Sequence, residues 1–238
     1  MHLRRFYKTV GATAAFAAII LAGMSISSTH GQAQSALSPD EAKIEQGFDI
    51  APVPLNLVGR NRALVGLGSY IVNALADCNG CHTRDASTEY TDHGNPYFLP
   101  PPNGPFKGRI TVNPATYLGG GNDFGPYPGL QHLYTRNLTP DKTGRPEGGH
   151  TLQEFITIMR TGKDYDHLHP TCTGAPNGSG SCVPAPFNGD VLQIMPWPTF
   201  KNMSDGDLRA IYEYLSAIPC IDTIIDGAPI LRNNCPKK

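Results

Sequence analysis

Apolar residues recur at helical spacing in three stretches of the chain. They occupy residues 64–75, 152–159 and 208–215, where they follow steps of three and four residues. The pattern therefore predicts three helices. Gly66 and Gly68 weaken the first helix locally, but their missing side chains would allow another helix to approach closely.

The second and third of these helices carry recognisable ends. Thr151 with Glu154 forms a capping-box pattern before the second helix, and Ser204 with Asp207 resembles one before the third. Gly162 supplies a natural stop for the second helix. Local signals thus predict the boundaries of both helices.

The rest of the chain is rich in glycine and proline, with 26 and 22 of these residues among 238. This composition predicts that much of the chain forms loops. We expect one domain over residues 58–219, with irregular insertions at 83–150 and 163–190. A leader, 34–57, would wrap this domain or stay mobile, and a tail, 220–238, would follow it.

The N-terminus has the layout of an export signal. Three basic residues precede an apolar run over residues 10–24, and small residues follow up to Ala33. A membrane anchor is the alternative, but the apolar run is short for a bilayer span of about 20 residues. We therefore expect a signal peptide over residues 1–33 that is cleaved, export to the periplasm and no lasting membrane anchor.

The charge balance argues against a nucleic-acid partner. Residues 1–33 contain three of the 19 Lys and Arg residues and none of the 20 Asp and Glu residues, so the remaining chain has a formal charge of −4. The sequence contains no basic patch and no run of like charges.

We expect disulfides among the six cysteines, because exported proteins fold in an oxidising compartment. They are Cys78, Cys81, Cys172, Cys182, Cys220 and Cys235. If the first two serve another purpose, the other four allow three connectivities. Sequential pairing, Cys172 with Cys182 and Cys220 with Cys235, is the simplest of these.

Cys78, Cys81 and His82 form a Cys-x-x-Cys-His motif, a signature of covalent haem attachment. On a helical turn the two sulfurs point to one side, where they can form thioethers to neighbouring vinyl groups of a porphyrin. The adjacent histidine can then reach the iron. Because the motif occurs once, the sequence predicts one haem c per chain, with His82 as an axial ligand.

Three other interpretations of the motif are weaker. A thioredoxin-like dithiol would begin a helix after a strand, whereas Cys78 follows a predicted helix. A zinc site needs further ligands at standard spacing, and the sequence has no second Cys-x-x-Cys and no matching His pair. A structural disulfide between Cys78 and Cys81 would leave His82 unexplained.

A methionine is the expected second axial ligand, because a soft thioether suits haem iron and raises its potential. Met159 lies on the apolar stripe of the second helix, where packing explains it, and Met203 directly precedes the cap of the third helix. Met195 lies in a proline-stiffened loop and is the preferred ligand. Trp197 in the same loop could pack on the porphyrin or serve as an ordinary core aromatic residue.

The other histidines beyond residue 33 are interpreted as loop or surface residues. They are His93, His132, His150, His167 and His169. His167 and His169 form a His-x-His pair near Asp164 and Asp166. This pair is the best alternative if the haem had two histidine ligands or if an accessory metal were bound.

Together these features resemble class I cytochrome c. The helix before the Cys-x-x-Cys-His motif, the Met-Pro loop and the segment 203–215 follow that pattern. Residues 136–141, Phe155 and 160–162 are similar to cytochrome subunits that serve periplasmic alcohol, aldehyde and gluconate-type dehydrogenases. The resemblance covers residues 60–219.

The resemblance implies a mostly α, class I cytochrome c-like helical domain with long irregular loop insertions, in which the first and last helices cross closely. It also implies that Met195 is the distal ligand. The implied electron partners are a periplasmic dehydrogenase and a downstream cytochrome or oxidase. The chain departs from the pattern in two ways. Such subunits often carry three haem domains, whereas this chain has one Cys-x-x-Cys-His motif. The 172–182 insertion and the tail to Cys235 are also not part of the pattern.

The expected function is one-electron transfer without catalysis on a substrate. Two permanent axial ligands leave no open position at the iron, and no acid–base pair or nucleophile constellation rivals the haem motif. The alternative is a haem enzyme with an open sixth coordination site that acts on peroxide or another small molecule. A pentacoordinate ferric spectrum would support the enzyme, and a low-spin His/Met spectrum would support the carrier.

Overall fold

The protein forms a helical structure with long connecting loops. The computed structural model describes residues 38–92, 94–97, 110–173, 182–225 and 234–236. The α-helices in these residues are α1 Pro39–Ile50, α2 Arg62–Tyr70, α3 Cys78–His82, α4 Leu152–Thr161, α5 Trp197–Phe200 and α6 Asp205–Ala217. A π-helical turn, Ile71–Leu75, continues α2, and a 3₁₀ turn, Glu147–Gly149, precedes α4.

The β-structure in the described part of the chain is limited to isolated β-bridges. This confirms the predicted mostly α, cytochrome c-like fold class with irregular loops. None of the helices in the described ranges combines the length and the apolar composition needed to cross a bilayer. The predicted signal peptide, residues 1–33, and His93 lie outside the described residues.

Helices α2 and α6 cross at very short distance, as the resemblance implied. A Cβ atom built on Gly68 would lie 2.0 Å from the carbonyl oxygen of Ala210, so only a residue without a side chain fits at this crossing. The crossing lies within the main hydrophobic core, where Val65, Leu208 and Ile211 are buried. Because both helices belong to one packed core, α6 also lies beside the π-helical turn that continues α2.

Helix α1 was not predicted, because few apolar residues mark its buried face. It nevertheless begins with a capping box: the Glu41 carboxylate accepts the Ser38 backbone N–H at 2.8 Å, and the Ser38 hydroxyl accepts the Glu41 backbone N–H at 3.2 Å. The helix packs on α2 through Gly47, where an added Cβ would lie 1.9 Å from the carbonyl oxygen of Gly66. This part of the predicted leader therefore belongs to the helical domain.

The helix that was predicted to end just before Cys78 is interrupted first. After α2 the backbone widens into the π-helical turn Ile71–Leu75, and Asp77 then adopts a left-handed conformation with φ +46°. Helix α3 starts afresh at Cys78. The Cys-x-x-Cys-His motif consequently occupies its own short helix.

The first predicted insertion, residues 83–150, contributes side chains to the core. Tyr117 is 1% exposed. Its hydroxyl group donates to Oδ1 of Asn73 at 2.5 Å and lies 2.7 Å from the hydroxyl group of Tyr214 in α6. The insertion is thereby joined to the π-helical turn and to α6, so it is part of the frame around the motif.

Both predicted disulfides are present, Cys172–Cys182 and Cys220–Cys235. The structure thus confirms sequential pairing among the three possible connectivities. The second disulfide anchors the tail, which also contacts the first insertion: the Ile221 carbonyl accepts a hydrogen bond from the Asn137 side chain at 2.7 Å.

Candidate functional site

The Cys-x-x-Cys-His motif makes up the single turn of helix α3. Cys78 is half-buried, Cys81 is exposed and His82 is buried. The two cysteines are free thiols, so they do not form the alternative structural disulfide. Burial, reinforced by the charge of Asp77, raises the pKa of Cys78 to about 12. Burial also raises the pKa of Cys81, the exposed thiol. Dithiol redox chemistry needs one low-pKa thiol, so this environment disfavours the thioredoxin-like interpretation.

His82 is held by a hydrogen bond that leaves one ring nitrogen available. Its Nδ1 lies 2.8 Å from the carbonyl oxygen of Arg136, so the Nδ1–H group donates and Nε2 carries the free lone pair. Burial lowers the pKa of His82, which favours the neutral imidazole that binds metals. A carbonyl group behind the ring is the usual way to fix the tautomer and orientation of a metal-binding histidine.

A loop of the first insertion holds α3 in position. The Asn79 side-chain oxygen accepts the Leu118 backbone N–H at 2.9 Å, and the Gly120 N–H donates to the His82 carbonyl at 2.6 Å. Gly120 has φ +68°, and an added Cβ would lie 2.5 Å from the backbone of Arg136. The loop can therefore pass this close to the Arg136 backbone only because residue 120 is glycine.

The motif opens onto a cleft that encloses about 1250 Å³ of space, part of it open to solvent. Its walls are mainly apolar and come from α4, α6 and the loops around them; they include Leu138, Phe155, Ile158, Ile211 and Leu215. Such walls suit an apolar ligand.

Besides His82, four buried polar side chains among the described residues line the same cleft: Arg136, Glu147, Asp164 and His169. Nη2 of Arg136 lies 2.7 Å from Oδ2 of Asp164. Nη1 of Arg136 and Nδ1 of His169 have no hydrogen-bond partner among the described residues. Because buried polar groups normally find a partner, this part of the cleft suits a ligand that brings carboxylates or similar acceptors.

The structure brings three methionine side chains to the cleft that His82 lines: Met159, Met195 and Met203. Met159 is 5% exposed within α4, and Met203 closes a hydrogen-bonded turn with Phe200 directly before α6. Met195 lies on the loop before α5. The preceding residue, Ile194, has φ +63°, a conformation that is costly for a β-branched side chain.

Trp197 begins α5 and supports the Met195 loop. Its indole N–H donates to the carbonyl oxygen of Leu192 at 3.2 Å, and an added Cβ on Gly162 would lie 2.4 Å from its ring. Trp197 is not among the described residues that line the cleft. It therefore holds the loop against the end of α4, and its contact with a porphyrin stays a prediction.

The histidines that were interpreted as loop residues differ in position. His169 is 7% exposed and lines the cleft, whereas its predicted pair partner, His167, is exposed. Within the described ranges, no group of three or more His, Cys, Asp or Glu side chains could hold a metal ion. The His-x-His pair thus gains no support as an accessory metal site, although His169 itself belongs to the cleft.

Sequence reasoning assigned no role in the site to Arg136, Glu147 or Asp164. Arg136 lies in the segment 136–141 that carries the family resemblance, and Asp164 was named only as a neighbour of the His-x-His pair. Glu147 and Asp164 lie in loops, where charged residues are normally solvated. Nothing in the local sequence therefore distinguished them from surface residues.

No family model matches the chain. The cytochrome c subunit of the quinone-dependent alcohol dehydrogenase from Gluconobacter oxydans (strain 621H) is 27% identical to it over 157 residues. The cytochrome c subunit of gluconate 2-dehydrogenase from Pantoea cypripedii is 26% identical over 156 residues. The chain is similar to dehydrogenase cytochrome c subunits.

This similarity to dehydrogenase cytochrome c subunits confirms the resemblance that residues 60–219 carry. The matched residues make up 65% of this chain in both comparisons. They cover 21% of the alcohol dehydrogenase subunit and 23% of the gluconate 2-dehydrogenase subunit, so the chain spans only about a fifth to a quarter of these relatives' lengths.

Proposed function

We propose that the cleft binds one haem c and that the protein transfers single electrons between a dehydrogenase and a downstream cytochrome or oxidase in the periplasm. The observation that carries this proposal is the arrangement of Cys78, Cys81 and His82 at the wall of an apolar cleft, with His82 Nδ1 bonded to a backbone carbonyl and Nε2 available. The similarity to the cytochrome c subunits of two dehydrogenases supports it.

The residues of the cleft fit a haem group in three respects. The free thiols of Cys78 and Cys81 can form the two thioethers. The apolar walls suit the macrocycle. Nη1 of Arg136 and Nδ1 of His169, which lack a partner, suit the two carboxylates of the porphyrin, because carboxylate oxygens can accept the hydrogen bonds that these nitrogens do not make.

Bound haem would supply an iron that cycles between the ferric and ferrous states. His82 would ligate it through Nε2 while the Arg136 carbonyl fixes the ring. Met195 is the proposed second ligand, because it lies on the loop before α5, whereas Met159 is packed within α4 and Met203 lies two residues before α6 begins. Apolar side chains from α4 and α6 would keep water away from the iron.

A filled sixth position supports electron transfer rather than chemistry on peroxide or another small molecule. Electron transfer also needs an accessible porphyrin edge. Cys81 is exposed, so the edge that it would hold faces solvent and a redox partner can approach it. Partner contacts at such an edge need only be small and short-lived.

Rapid mixing of the mature protein with redox partners tests this function. The oxidised protein is mixed with an alcohol or gluconate dehydrogenase plus its substrate, and the reduced protein with candidate oxidases, while the haem spectrum is followed. We expect reduction only when enzyme and substrate are both present, and reoxidation by an acceptor. Turnover of peroxide or another small molecule by the purified protein alone, at rates typical of enzymes, would contradict the proposal.

A further inference from the structure

Glu147 is a buried carboxyl group in the wall of the cleft. It is 6% exposed and lines the same cavity as His82 and Met195. Its backbone is left-handed, with φ +49°, and both following glycines also have positive φ. This conformation is strained for a residue with a side chain. The fold thus holds an acidic group inside a mainly apolar cavity, where its ionised form is costly.

The positive charges that face Glu147 are already paired. Arg136, from the first insertion, contacts the Asp164 carboxylate at 2.7 Å. His150, just before α4, has Nε2 3.6 Å from the Asp166 carboxylate. When His150 is protonated, two cations balance two anions, so a charge on Glu147 is left without compensation. Burial accordingly raises the pKa of Glu147 to about 7.

Two further titratable groups belong to these surroundings. The Glu154 carboxylate lies 3.8 Å from Nδ1 of His150 and adds a negative charge. His169 lines the cavity, and burial lowers its pKa, so its ring is neutral at neutral pH. Neither group supplies a positive charge that would stabilise the carboxylate of Glu147.

We infer that Glu147 couples electron transfer to proton binding, an inference that rests on the proposed haem function. When the protein accepts one electron from a reduced dehydrogenase, one carboxylate oxygen of Glu147 takes up one proton from solvent. When the electron leaves for the acceptor, the O–H bond breaks and the proton returns to solvent. The reduced centre has one positive charge fewer, so a buried carboxylate in the same cavity loses a Coulomb attraction that is strong where water is excluded.

This coupling makes the reduction potential depend on pH. At low pH Glu147 is protonated in both oxidation states, and at high pH it is ionised in both. The reduction potential therefore does not change with pH at either extreme. Between these limits the potential falls as the pH rises. Its slope there is at most about 59 mV per pH unit, the value of a tenfold change in an equilibrium for a one-electron couple.

Spectroelectrochemical titration of the full-length haem protein tests the inference from about pH 5 to about pH 9, a range that brackets neutral pH. We expect the wild-type potential to fall through the neutral range and that of Glu147→Gln to stay flat, because the amide has the shape of the protonated acid but cannot ionise. Glu45→Gln is the matched control: Glu45 is exposed on α1, and this variant should keep the wild-type slope.

A second measurement on the wild-type protein does not depend on the variant's folding. The redox-induced infrared difference spectrum should show a protonated-carboxyl C=O band that appears on reduction and shifts in D₂O. A pH-independent potential, an unchanged slope in Glu147→Gln, or the absence of this band would overturn the coupling while leaving the carrier function intact. A protein with no reversible haem spectrum would overturn both.

Discussion

Nδ1 of His82 lies 2.8 Å from the carbonyl oxygen of Arg136, and this contact joins the motif helix to the polar side of the cleft. The guanidinium group of Arg136 continues the connection, because its Nη2 lies 2.7 Å from Oδ2 of Asp164. The two side chains of this ion pair are 9% and 5% exposed. Asp164 therefore anchors the residue whose carbonyl orients His82.

We expect Asp164→Asn to lower the free energy of unfolding by about 3–5 kcal/mol, because it leaves the buried Arg136 charge without its partner. Equilibrium unfolding in denaturant measures this change. Asp205→Asn is the control: it removes the partner of Arg160 in a pair whose side chains are 81% and 30% exposed. Its effect should stay below about 1 kcal/mol. Equal effects of the two substitutions would show that the Arg136–Asp164 pair is not the anchor described above.

Two thioethers, at Cys78 and Cys81, would hold the haem covalently, so it should not be lost when the protein unfolds. Haem should stay with the wild-type chain through acid–acetone extraction and denaturing electrophoresis. The double variant Cys78→Ala/Cys81→Ala should give a chain that does not stain for haem. The control replaces Cys172 and Cys182 by Ser, which removes a disulfide and spares the motif. This control should stain like the wild type. Release of porphyrin from the wild-type chain under denaturing conditions is the contrary result.

The three methionines of the cleft can be separated by one set of matched variants. Leucine nearly conserves the volume of methionine but has no sulfur. Met195→Leu should remove the sulfur–iron charge-transfer band and lower the reduction potential, whereas Met159→Leu and Met203→Leu should retain the band. Absorption spectra and potentiometry of the oxidised proteins measure both effects. The assignment to Met195 fails if its variant keeps the band and another variant loses it.

The α2–α6 crossing predicts a large effect of one added methyl group. Gly68→Ala would bring a Cβ to 2.0 Å from the Ala210 carbonyl oxygen, so the helices must separate. Overpacking of this kind costs about 1–3 kcal/mol. In Gly206→Ala the nearest atom to the new Cβ is Ser204 Oγ at 3.6 Å, and the change should be neutral or stabilising by up to about 1 kcal/mol. Thermal unfolding compares the two. Similar melting temperatures for both variants would contradict the close crossing.

The sequence was most informative where an element depends on neighbouring residues. Helix α4 begins after Thr151 and ends at Gly162, and α6 begins after Ser204, as predicted, because capping bonds join residues only three positions apart. Helix α1 escaped prediction, since its contact with α2 is made by Gly47 and only two large apolar side chains, Ile44 and Phe48. So few apolar positions give no clear helical stripe in the sequence.

By itself the sequence predicted the chemistry of the motif at Cys78, Cys81 and His82, because three reactive groups within five residues share one helical turn. It also gave three methionines as candidates for the second ligand, with the His-x-His pair as the alternative, and three possible connectivities for the disulfides. These conclusions depend on residue types and short spacings, which folding does not change.

Only the tertiary structure decided which charged residues enter the cleft. Arg136, Glu147 and Asp164 come from loops whose local sequence suits solvent. Contacts between distant parts of the chain hold these loops in place, such as the one from Arg136 Nη2 to Asp164 Oδ2, 28 positions apart. The burial of a charge depends on where a loop is held, and that position is set by partners far away in the sequence.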